Sequence, residues 1–164
     1  MNVKLLYVVT LLFTCSAFAE LTTNFVYKGE YKIFDLASGS KEKLWQEALA
    51  ADVGGKCERK IEAGRIDVET DTEVYEVDRQ DKWKEGMGQA LAYATETKKK
   101  AVLALISSAQ GPQNMQQRSR ERFDFVSSIC ITNNVRLLIL FPARPEVPHG
   151  AKAISSSSAE FKMP

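Results

Sequence analysis

Histidine occurs once in the 164 residues, at His149, and cysteine three times, at Cys15, Cys57 and Cys130. A lone histidine set among prolines excludes a histidine-based catalytic triad. Two thiols as distant as Cys57 and Cys130 do not make a zinc site, and Cys15 falls in a leader segment. Neither sign of charge is in excess: 22 Lys and Arg face 21 Asp and Glu, a formal net charge of +1. That balance argues against a nonspecific nucleic-acid coat protein and leaves room for a local basic groove. A glycine-rich phosphate loop and internal repeats are both missing. Beyond residue 19 no apolar run approaches the roughly 18 residues a membrane helix needs, so the mature chain should lack a membrane span.

The first stretch, MNVKLLYVVTLLFTCSAFA, has one early positive charge at Lys4, an apolar run through Phe13, and Ala17-Phe18-Ala19. This is the pattern of a signal peptide with a small-x-small cleavage site. Residues 1–19 are therefore expected to be removed and the mature chain exported, to a periplasm or to the medium. Leu12-Phe13-Thr14 before Cys15 lacks the small residue of a lipidation site. In an oxidising compartment Cys57 and Cys130 either pair or remain buried free thiols, and free thiols are the preferred reading.

Residues 20–37 read as an irregular or edge segment. Ser38-Gly39-Ser40 stops the chain, and Ser40 is placed to cap a helix whose first turn holds Glu42. Leu44, Ala48, Leu49 and Val53, with Trp45 beside them, recur at helical spacing, and Gly54-Gly55 ends the run. KCERKIE, RIDVET and EVYEVDR, separated by short turns, alternate with period two and predict three antiparallel strands. A helix from Lys82 to about Lys99 has Trp83, Met87, Ala90, Leu91 and Ala94 on one stripe. AVLALI is a buried strand, a helix with Phe123, Val126 and Cys130 inward follows, and VRLLILF is a last buried strand. The order α-β-β-β-α-β-α-β, with helices on both faces of a mixed sheet, is an α/β sandwich over residues 38–142. Three prolines and a serine run make 143–164 a flexible tail, and the serines of that run a solvated spacer.

Asp67, Glu76 and Asp78 are the candidate chemistry. Side chains at i and i+2 of a strand share a face, so Glu76 and Asp78 point the same way. A hairpin register that sets Asp67 beside them gathers three carboxylates, which repel unless a divalent cation neutralises them. Oxygen ligands select Mg²⁺, Ca²⁺ or Mn²⁺. The other reading, solvent-facing acids of a half-exposed sheet, stays open. On the next helix Lys82, Gln89 and Tyr93 lie within about 40° of one another, beside the apolar face, and Gly86 shares their stripe. Lys98-Lys99-Lys100 at its end either touch phosphate or answer the helix dipole.

D-x(8)-E-x-D followed by a helix with Q-x-x-x-Y resembles the PD-(D/E)XK nuclease superfamily, and the Gln–Tyr pair resembles its RecB-like branch. GRIDVETDTEVYEVDRQDKWKEGMGQALAYA is also similar to a group of mostly uncharacterised small bacterial proteins with R-[VI]-D-x-x-T, E-V-D and K-W-x-E-x-x-G-Q-A-L-x-Y-A. The likeness covers residues 54–106, and the rest by element order. It implies a restriction-endonuclease-like sandwich with Asp67 and Glu76 as Mg²⁺ (or Mn²⁺) ligands, and Gln89 and Tyr93 as site residues. Asp78 stands where the superfamily has a lysine. Either Lys82 supplies the charge, or Asp78 is a third metal ligand, or the site is dead. Glu47 and Glu58 are candidates for an added ligand.

The resulting expectation is an exported, metal-dependent nuclease-like domain acting on nucleic acid. Its alternative is a degenerate nuclease-fold module that binds a partner or stabilises an envelope complex. A third is an acidic metal-binding protein with no phosphate substrate.

Overall fold

The structure, a computed structural model, describes residues 29–144. The expected leader, His149 and the C-terminal tail from residue 145 onward lie outside the described residues. Ten elements follow in order. Strand β1 is Tyr31–Ala37, helix α1 Glu42–Val53, β2 Lys56–Ile61, β3 Gly64–Glu69 and β4 Glu73–Arg79. Helix α2 is Trp83–Thr97, β5 Lys100–Ile106, a 3₁₀ turn Pro112–Asn114, α3 Gln117–Thr132 and β6 Arg136–Arg144. The strands form one mixed sheet in the order β1-β6-β5-β4-β3-β2. The β2-β3-β4 meander is antiparallel, as its short turns dictate, and β4, β5, β6 and β1 are parallel.

This is the expected α/β sandwich with one strand added. β1 hides in the sequence because YKIFDLA has apolar side chains on both parities, which blurs the period-two signal. Phe34 and Leu36 pack on the α1 side, whereas Tyr31 sets its ring edge-on to Phe141 on the other face, at 5.7 Å. Among the described residues the strand is the sheet edge, paired only with β6.

Two cores lie on the two sheet faces. On one, Met87 and Ala90 of α2 and Phe123, Val126 and Cys130 of α3 cover Leu103, Leu105 and Ile139. On the other, Trp45, Leu49 and Ala50 of α1 cover Val68, Tyr75, Val77, Val102 and Leu138. Each such aliphatic side chain taken fully from water contributes about 1.5–3 kcal/mol. The α2 and α3 stripes are those read from the sequence. In α1 the stripe is rotated: Leu44 is exposed, and the inward face centres on Trp45 and Leu49. Its start also differs, because Lys41 holds the N-cap position without a side-chain cap and Ser40 instead closes the preceding turn onto Ala37. Cys57 and Cys130 are free thiols that pack into opposite cores.

Candidate functional site

Asp67 stands where the sheet ladder fails on both sides. Towards β4, backbone pairing stops at Val68–Tyr75, and the Asp67 carboxylate takes over by accepting the Val77 N–H at 2.8 Å. Towards β2, pairs form at Cys57–Val68 and Arg59–Ile66, while Glu58 between them adopts a left-handed φ of 60°. A non-glycine residue there is strained. The kink turns the outer part of the hairpin. Ile66 joins Val74 and Tyr93, whereas Val68 faces the α1 core. The strict alternation expected for RIDVET is thus broken at the aspartate itself.

Glu76 and Asp78 keep their shared parity. Along β4 they pair with Leu103 and Leu105, whose side chains face α2, while Tyr75 and Val77 face α1. All three acids are buried, Glu76 with 6% of its surface exposed. Burial, and then the charges of Asp67, Asp78 and Glu42, push Glu76 from 4.5 up to about 9. Burial pushes Asp67 from 3.8 to about 6, opposed by the Val77 N–H, and Glu42 raises it further. Asp78 is raised chiefly by burial, while the Arg79 N–H that it accepts at 2.8 Å and the Lys82 charge act the other way. All three acids are buried and not solvent-facing, and the charges of Asp67 and Asp78 both act on Glu76.

Helix α1 lies over the acids with Gln46 and with Glu42, which the sequence places only as a first-turn residue. Gln46 is buried, and its amide lowers the Asp67 titration. Glu42, one turn earlier, is raised by burial and then by Asp78. The signal was present: two polar residues four apart beside the Trp45–Leu49 stripe, the same argument that marks α2. The acids proposed for this position, Glu47 and Glu58, are exposed, and Glu58 lies 3.7 Å from Arg65. Arg79 fixes the start of α1 over the site, its guanidinium donating to the Ser38 and Ser40 carbonyls at 3.0 and 2.9 Å.

Helix α2 supplies the other wall. Gly86 lies against Asp78 and Leu103; a Cβ there would stand 3.4 Å from Asp78 Oδ2 and 2.9 Å from Leu103 Cδ1. Lys82, exposed at the helix start, lowers both Asp78 and Glu42 electrostatically, so its ammonium serves the acidic recess. Tyr93 is buried; its hydroxyl lies 3.5 Å from Gln89 Oε1 and its titration is raised by burial and then by Glu76. It also packs on Gly64, whose φ of 144° is left to glycine. The stripe therefore borders the carboxylates as expected. Lys98 to Lys100 do not: they line an open cavity of about 540 Å³ at the far end of α2, and Lys99 pairs with Glu69 at 2.9 Å.

Among the described residues no three Asp, Glu, His or Cys side chains are gathered into a ready metal-ligand set. The physical reason is visible in the partners: Asp67 and Asp78 each turn an oxygen to a backbone N–H, which relieves the repulsion that convergence would impose. The donor chemistry still suits a hard cation. Glu76 Oε2 is buried without a hydrogen-bond partner, an orphan that protein interiors rarely tolerate.

No protein-family model matches the sequence, and no solved structure matches it significantly. Similarity is found to two putative KilA-N domain-containing proteins of Acanthamoeba polyphaga mimivirus. One is 36% identical over 87 residues, covering 52% of this chain and 23% of the relative. The second is 31% identical over 88 residues, covering 53% of this chain and 36% of the relative. The chain thus spans only about a quarter to a third of the curated relatives it matches.

Proposed function

We propose that the chain is a metal-dependent nuclease-like domain that hydrolyses phosphodiester bonds of nucleic acid. The observation that carries this reading is the buried Glu76 carboxyl near Asp67, whose Oε2 has no hydrogen-bond partner. Asp67 and Glu76 would hold Mg²⁺ or Mn²⁺, with Asp78 as the nearest further oxygen donor. A hard divalent ion bound there lowers the pKa of a water and screens phosphate charge. The residues of the chain do the remainder. Asp78 offers a proton acceptor where the superfamily offers positive charge, and Lys82 supplies that charge from the start of α2. Gln46 and the Val77 N–H hold the Asp67 carboxylate in place, and Gln89 and Tyr93 wall the pocket next to Glu76. In the reaction a water oxygen adds to phosphorus, one P–O ester bond breaks, and the leaving oxygen ends as a hydroxyl. The likeness to KilA-N domain-containing proteins is compatible with association with nucleic acid. Export directed by residues 1–19 is part of the same proposal.

A second reading is favoured by one residue. Asp78 in the lysine position removes the charge that stabilises the transition state, which fits a nuclease-fold module that binds and does not cut. The test is cleavage by residues 20–164 of single- and double-stranded DNA and RNA in millimolar Mg²⁺ or Mn²⁺. Cutting that stops with chelator and in Glu76→Gln supports the nuclease; binding without cutting supports the module.

A further inference from the structure

At the start of α2 and along α3, basic and aromatic side chains lie close together. Trp83, the first residue of α2, stacks edge-to-face with Phe125 of α3, centroids 5.9 Å apart at 86°. Phe125 is 59% exposed, and its ring is held upright by Trp83 where solvent reaches it. Lys84 sets its ammonium 5.7 Å from the Trp83 ring centre. On α3, Arg118, Arg122 and Phe125 fall within about 60° of one another at 100° per residue, one stripe without a carboxylate in it. Glu121 beside the stripe is engaged by the Gln117 amide at 2.9 Å. Lys84, Arg118 and Arg122 have no ion pair among the described residues.

The topology gives this stripe a direction. β4 and β5 run parallel, and α2 and α3 each start after a strand's C-terminal end. From Phe125 to Arg118 the stripe rises about 10 Å towards that end, at about 1.5 Å per residue. Asp78 lies towards the same end and Glu76 at the middle of β4, the strand that leads into Lys82 and Trp83.

We propose that Trp83, Phe125, Arg118 and Arg122 form a track for single-stranded nucleic acid that feeds the carboxylate recess. The proposal rests on the nuclease-like reading and names its substrate class. Stacking on an upright aromatic ring needs an unpaired base, which a duplex does not offer. Guanidinium groups spaced along a helix suit successive phosphates, and uncompensated arginines draw a polyanion.

The test is fluorescence anisotropy of residues 20–164 in EDTA, with labelled oligonucleotides of about 12 nucleotides. Single-stranded DNA, single-stranded RNA and duplex are compared, with polyglutamate as competitor. Single strands should bind about tenfold tighter than duplex, and the DNA and RNA arms tell which is preferred. Phe125→Ala should weaken binding at least about fivefold while Phe125→Trp retains it, with melting unchanged in both. The double change Arg118→Ala and Arg122→Ala should reduce the slope of log affinity against log salt by about 1.4. Duplex binding as tight as single strands, normal affinity in a folded Phe125→Ala protein, or equal displacement by polyglutamate each overturn the track. Failure of the nuclease reading looks different: single strands bind normally and remain uncut when Mg²⁺ is restored.

Discussion

The side chain of Asp67 accepts the backbone N–H of Val77, 2.8 Å away, in place of a ladder carbonyl. The contact ties a site residue to the seam of the sheet and makes stability and function separable by mutation. Asp67→Ala leaves a buried N–H unsatisfied and should cost about 1–3 kcal/mol in urea unfolding. Asp67→Asn keeps an acceptor and removes a charge that repels Glu76. It should unfold at or above the wild-type midpoint at pH 8, while losing divalent-ion binding.

The raised titration of Glu76 fixes a pH dependence. Its folded value of about 9 lies above the ordinary 4.5, so the folded chain keeps a proton that the unfolded chain has released. Its contribution is fully present below about pH 4.5 and is lost as pH rises through about 9. Glu76→Gln should flatten this decline and melt above wild type at pH 8.5. A wild-type melting curve insensitive to pH between 6 and 9 (a range set by the Asp67 and Glu76 values) would contradict the burial argument.

Gly86 is the point at which helix and strand meet most closely in the site. Gly86→Ala sets a methyl 2.9 Å from Leu103 Cδ1 and 3.4 Å from Asp78. The Leu103 methyl has to shift, at an expected cost of about 1–3 kcal/mol. If the melting temperature is unchanged, α2 does not sit on β4 as described.

Most of the architecture was legible because it rests on periodicity. The α2 stripe from Trp83 to Ala94 and the β2-β3-β4 meander follow from spacing and turn residues alone. β1 was not legible, because Tyr31 and Ile33 on one parity and Phe34 and Leu36 on the other erase the alternation. In the site, Glu76, Asp78, Lys82 and Gly86 were found by parity and helical angle. A site role for Gln46 and Glu42 is not legible, because helical spacing in α1 sets Leu44 inward, whereas the structure exposes Leu44 and turns the helix about Trp45 and Leu49. The break at Asp67 has no local sequence signal: it depends on Glu58, a residue of ordinary β pattern held at φ 60° by the hairpin.

The position that departs from the PD-(D/E)XK pattern the sequence resembles gives a further prediction. Lys82→Met should slow any cleavage without altering the melting temperature, since Lys82 is exposed and acts through its charge. Asp78→Lys restores the resembling pattern. Raised activity would show that Asp78 is the one degenerate position; lost metal binding would show that Asp78 is itself a ligand.

The most direct test of the account is calorimetric titration of residues 20–164 with Mn²⁺ at pH 7.5, in buffers of different ionisation enthalpy. Because Glu76 holds its proton up to about pH 9, a cation entering its recess must release it. The account predicts Mn²⁺ binding coupled to release of about one proton, abolished in Glu76→Gln. Absence of binding, or equal binding and proton release in the Glu76→Gln protein, would contradict it.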